Sequence, residues 1–206
     1  MVAEWSVECG PDDPVLVVPW SAPPETASPT LGPHFIDLRE NPYDLDQIPE
    51  TEQHPPLLQA LRALNAARSP VFTAKCDAWV MDPEELESLR FALASDLADL
   101  PPDLAHGFSS YIDILWRERS LFVSFHQHEQ LLHRLLRHAE PLHLPHAALD
   151  CTVRPALVDL TGPQEGFALT LYVKALGADP ADAYRNWAEA LTAIVTLVRS
   201  KDLSFS

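Results

Sequence analysis

Residues 108–125, FSSYIDILWRERSLFVSF, decide the fold. Phe108–Trp116 alternates apolar and polar positions as a half-buried strand does, and Arg117–Ser120 (RERS) is a polar turn. Leu121–Phe125 then returns as a second strand. Upstream, Val71–Val80 (VFTAKCDAWV) reads as a strand. It is followed by a helix start in which Asp82 is the N-cap, Pro83 the first helical position and Glu85 the acid three residues after the cap. Leu86, Leu89, Leu93, Leu97 and Leu100 form the apolar stripe of that helix, and Pro101-Pro102 stops it.

Downstream, a helix is expected from about Gln127 to Ala139, ended by Pro141. Leu149–Leu160 and Phe167–Leu176 form a hairpin across TGPQEG (161–166). A last helix opens at Asp179-Pro180 and buries Tyr184, Trp187, Leu191, Ile194, Val195 and Val198. The Asp-Pro openings at 82 and 179 look alike, but the flanking strands share little, so capping chemistry explains them better than duplication. The resulting order, β-α-β-β-α-β-β-α, predicts an α+β fold. Its first six elements are those of a ferredoxin-like (split βαβ) antiparallel sheet with helices on one face. The fifth strand extends that sheet and the last helix joins the helical layer.

The chain of 206 residues changes character near residue 70. Twelve of its 20 prolines lie in residues 1–70, which disfavours long helices and central strands there. Residues 1–60 hold 11 of the 30 acidic residues and one base, Arg39, and so carry ten of the sixteen net negative charges. Apolar anchors recur nonetheless: a short strand at Val15–Val18, an extended Phe35–Leu38, and a short amphipathic helix on Leu57, Leu58, Leu61 and Leu64. Two units are therefore expected. Residues 1–69 make an acidic, proline-rich N-terminal arm packed on the body, loosest at 21–33, and residues 70–206 make the α+β sandwich domain.

Charge and composition exclude several function classes. The remaining −6 on 146 residues, without a basic patch, argues against nucleic acid, whose affinity rests on Lys and Arg replacing counterions. The same acidity argues against an anionic membrane surface, and no apolar run approaches the ~20 residues that span a bilayer. An acidic arm instead suits a basic protein surface. Three cysteines (Cys9, Cys76, Cys151) without a close pair do not make a disulfide scaffold, and MVAEWSVECG lacks the basic and apolar regions of a signal peptide, so a cytoplasmic location is expected. Cys76, inside a strand, is read as structural rather than catalytic.

Six of nine histidines (His126, His128, His133, His138, His143, His146) fall within 21 residues. On a wheel of 100° per residue, His128 points to the middle of the apolar face, while His126, Glu129 and His133 share one flank within roughly 60° of arc. Two imidazoles and a carboxylate are a divalent-metal ligand set, with His143 or His146 available to complete it. The i, i+3, i+7 spacing lacks the His pair of HExxH, however, and Arg137 beside the trio would repel a cation, so a solvated polar flank is the plainer reading. Protonation of the cluster near pH 6 would also make it a pH sensor.

With six glycines there is no phosphate-cradling loop, and Gly107-Phe108-Ser109-Ser110 lacks the second glycine of a nucleophile elbow. The polar residues on or near strands include Lys75, Asp77, Asp113, Arg117, Arg119, Arg154, Asp159 and Lys174. Of these Lys75, Asp113, Arg154 and Lys174 could line a sheet-face groove for an anionic small molecule, or form cross-strand pairs.

The expected function is a non-catalytic binding or assembly module that self-associates through its sheet as a homo-oligomer, with five tryptophans available to an interface. A metal-dependent enzyme on His126, Glu129 and His133 is one alternative, and a sensor with an anionic ligand on Lys75, Asp113, Arg154 and Lys174 the other. No cofactor beyond a divalent metal is implied.

Overall fold

The computed structural model describes residues 1–21, 34–96 and 104–203, with Ser95, Asp96 and Asp202 described through their backbone alone. The expected loose stretch 21–33 (beyond Ser21), Leu97, Leu100 and the Pro101-Pro102 stop lie outside the described residues. The fold is α+β, and among the described residues six strands form one mixed sheet. They are β1 (Val2–Val7), β2 (Leu16–Val18), β3 (Val71–Val80), β4 (His106–Trp116), β5 (Ala147–Val158) and β6 (Gln164–Gly177). The helices are α1 (Pro49–Gln53), α2 (Pro55–Leu64), α3 (Pro83–Asp96), α4 (Arg119–Phe122), α5 (Phe125–Ala139) and α6 (Pro180–Val198).

The sheet order is β1-β5-β6-β4-β3, with β2 also on β5. Antiparallel pairing joins β3 to β4, β4 to β6 and β6 to β5. The 12-residue β5 is long enough for two short strands to share its outer edge: β1 sets Val2 opposite Ala148, and β2 sets Leu16 opposite Ala156, both parallel. The N-terminal segment thus enters the sheet itself, through β1 and β2. The β5–β6 turn uses Gly162 at φ 111°, where a side chain would be strained.

Two expectations fail, and for one linked reason. Leu121–Phe125 is not a strand: the place beside β4 that it would take belongs to β6, which sets Tyr172 opposite Tyr111. The segment instead forms α4 and the start of α5. Leu121 is buried in the main core and Phe122 in a separate cluster, while Val123, which would share the face of Leu121 in a strand, is 46% exposed. Ser124 then caps α5 by accepting from the Gln127 amide at 3.3 Å. Without that hairpin the strand order is not the split βαβ order, and β3 and β4, which α3 connects, are antiparallel neighbours.

Nor do the helices keep to one face. Alternation along β5 and β6 sends Leu149, Cys151, Leu171 and Val173 to the main core, shared with α2, α5 and α6. Ala148 and Leu176 point the other way, and with Met81 and Leu104 they seat Leu89 and Leu93 of α3 on the opposite face. The expected helix starts do form as read. Asp82 accepts from the Glu84 and Glu85 amides at 2.9 and 2.8 Å while Glu85 returns to the Asp82 amide at 3.2 Å, and Asp179 caps Asp182 at 2.8 Å. The main core centres on Trp187, wholly buried, whose indole N–H donates to the Ser110 hydroxyl at 2.9 Å. Trp116 is also buried, whereas Trp5, Trp20 and Trp79 are half-buried.

Candidate functional site

Among the described residues, the β3 edge of the sheet is closed by side chains rather than by a strand. Asn65, at the end of α2, accepts the Thr73 amide on Oδ1 at 3.0 Å and donates to the Thr73 hydroxyl at 2.8 Å. The Trp20 indole donates to the Ala74 carbonyl at 2.9 Å, and the Asp77 carboxylate accepts the Ala78 amide at 2.7 Å. Each takes a backbone or side-chain group that an edge strand would otherwise offer to another chain. A bulge between Thr73 and Lys75 reinforces this by breaking the ladder there.

Between these plugs and the N-terminal segment lies a pocket of about 480 Å³. Trp20, Ile36, Leu38, Ile48 and Leu61 give it apolar walls, and Gln47, Glu50, Thr73 and Lys75 give it polar groups. The apolar anchors of residues 1–69 supply much of that wall: Leu38 and Leu61 are buried, at 3% and 1% exposure. The Lys75 ammonium lies 5.3 Å from the centre of the Trp20 ring. Cys76 also lines the pocket, and burial, aided by the charge of Glu50, pushes its thiol up to about 12. At neutral pH it is therefore a protonated, weakly nucleophilic group.

The four residues expected on a sheet-face groove do share the face opposite the main core. Lys75 stands opposite Asp113, Asp113 opposite Thr170 and Thr170 opposite Thr152, while Arg154 and Lys174 flank that row. Lys174 and Arg154 are already engaged, with Asp150 at 2.6 Å and Glu8 at 3.1 Å. Asp113, 2% exposed, accepts from the Thr170 hydroxyl at 2.5 Å, and burial raises its pKa against the pull of Thr170, Arg154 and Lys75. Of the four, only Lys75 lines the pocket.

The histidines separate. His126 reaches Glu129 at 3.5 Å, but His133 turns to Trp5, ring to ring at 5.4 Å. Among the described residues no three His, Cys, Asp or Glu side chains are placed to hold a metal ion. His128 is the core residue the wheel anticipates, with Nδ1 3.1 Å from the Ser124 carbonyl and its pKa lowered, chiefly by burial.

Sequence reasoning misses the pocket walls at Gln47, Ile48 and Glu50, which sit around a short 3-10 turn and the start of α1 that no periodicity marks. The signal available is the run of apolar anchors in a proline-rich segment. A scan against protein-family models, a search of curated proteins and a search of solved structures each match nothing.

Proposed function

We propose that this protein is a non-catalytic binding module that holds a small, largely apolar ligand between its N-terminal segment and β3. The observation that carries the reading is the pocket itself. Its ~480 Å³ lies within the range of small-molecule sites, and its apolar walls with few polar groups match their chemistry. Lys75 and Glu50, of opposite charge, favour a ligand with little net charge of its own. The protonated Cys76 thiol favours binding over covalent chemistry.

The test is titration of the full chain with N-phenyl-1-naphthylamine, a neutral fluorescent apolar probe. Saturable one-to-one binding that Ile48→Trp blocks, by filling the pocket, supports the reading. Binding that is non-saturable, or indifferent to Ile48→Trp, overturns it.

Self-association through the sheet is a second reading, and the plugged β3 edge directs it to the opposite edge. There Val7 at the end of β1, Val15 just before β2 and Val17 within β2 are 42%, 52% and 46% exposed. Light scattering tests it: a dimer that Val17→Lys dissociates supports it, and a strict monomer removes it.

A further inference from the structure

A second cleft, independent of the pocket just proposed, gathers positive charge in a chain whose net charge is −16. Arg39, Arg117 and Arg119, three of only 14 basic residues, line one cavity of about 390 Å³ where the ends of β3, β4, β5 and β6 meet. No carboxylate is among its described lining residues. Its walls are otherwise apolar, with Phe72, Phe122 and Leu160, and Thr161 and Gln164 add hydrogen-bonding groups.

Two of the guanidiniums are held in position. Arg117 donates from Nε to the Val71 carbonyl at 3.0 Å and from Nη2 to the Asn65 carbonyl at 3.2 Å. Arg39 is aligned by a two-point pair with Asp37, at 2.9 and 2.7 Å, and lies 4.6 Å over the Phe72 ring. Asp37 offsets one positive charge of the three. Nη1 of Arg117 and the whole Arg119 head have no hydrogen-bond or ion-pair partner among the described residues. Burial, and after it the charge of Arg39, lowers the Arg117 pKa against the pull of Asp37.

We propose that this cleft binds an organic oxyanion, its phosphate or carboxylate head between Arg117 and Arg119 and its apolar body on Phe72, Phe122 and Leu160. The planar guanidinium forks suit either head, because both present paired oxygens. Titration of the full chain by calorimetry with phenyl phosphate, benzoate and inorganic phosphate separates the sources. Phenyl phosphate tighter than benzoate assigns a phosphate ester, and the reverse assigns a carboxylate. Either is expected to bind about tenfold more tightly than inorganic phosphate, through the apolar contact.

Arg117→Gln removes two backbone contacts and risks the fold, so Arg119→Gln is the decisive variant. Its side chain is exposed, and the melting temperature is expected to stay unchanged while affinity falls about tenfold. Lys174→Gln, on the sheet face, is expected to leave affinity unchanged. Failure of all three anions to bind, or equal affinity in Arg119→Gln, overturns the proposal.

Discussion

The indole N–H of Trp20 donates to the main-chain carbonyl of Ala74 at 2.9 Å, fastening the N-terminal segment to the edge of the sheet. One side chain thereby does two things. It caps an edge-strand acceptor, and it forms a wall of the pocket proposed to bind ligand. Trp20→Phe keeps much of the apolar surface and removes the donor. A half-buried carbonyl left without its partner costs about 1–2 kcal/mol, so urea denaturation is expected to show that loss of stability together with weaker probe binding. Unchanged stability and affinity would detach Trp20 from both roles.

The Asn65 plug carries a further prediction. Its side chain is buried and makes three hydrogen bonds, to the Leu61 carbonyl and to the amide and hydroxyl of Thr73. Asn65→Ala orphans the buried Thr73 amide, so a loss of about 2–3 kcal/mol is expected. Exposure of an unplugged edge is also expected to raise the aggregation rate, read by light scattering, relative to an equally destabilised core variant.

Mild acid is expected to destabilise the protein through His128. Burial lowers its pKa, so its contribution to stability is fully present above the ordinary histidine value and is lost as pH falls through the lowered one. The melting temperature should therefore decline from about pH 7.5 to about pH 5.5, and His128→Leu should flatten that decline. A flat wild-type profile would remove His128, and with it the pH-sensing reading of the cluster.

Asp113 has the opposite sign. Its raised pKa means that stability is greatest below the ordinary carboxylate value and is lost as pH rises through the raised one. At neutral pH its charge is a burden, partly relieved by Thr170, Arg154 and Lys75. Asp113→Asn, which keeps an acceptor for Thr170, is expected to melt at or above the wild-type temperature near pH 7.5, as calorimetry can show. A clear drop would mean that Arg154 and Lys75 depend on the charge more than burial opposes it.

Local signals were legible where the chemistry is local. The Asp82 and Asp179 caps, the Leu57–Leu64 helix and the buried His128 all follow from spacing and residue type, because each depends on neighbours within a few positions. Strand partnership is not local. RERS resembles a hairpin turn, but whether Leu121–Phe125 folds back on β4 depends on β6, some 45 residues later, which takes that place. Of the pocket, Lys75 on its strand and the apolar anchors Leu38 and Leu61 were legible, but not their convergence. Lys75, Asp113, Arg154 and Lys174 do share one face, since alternation from a correct strand assignment fixes it. Their carboxylate partners, Glu8 and Asp150, follow only from register. Arg39 stands out in the sequence as the lone base of an acidic segment, but its convergence with Arg117 and Arg119 needs the three-dimensional chain.

The central claim, a small-ligand pocket between the N-terminal segment and β3, is tested most directly by nuclear Overhauser contacts to bound N-phenyl-1-naphthylamine. The prediction is contacts from the probe to the methyl groups of Ile36, Leu38, Ile48 and Leu61 together, apolar wall residues that the arginine cleft does not share. Contacts confined to other methyl groups, such as those of Val7, Val15 and Val17, would contradict it.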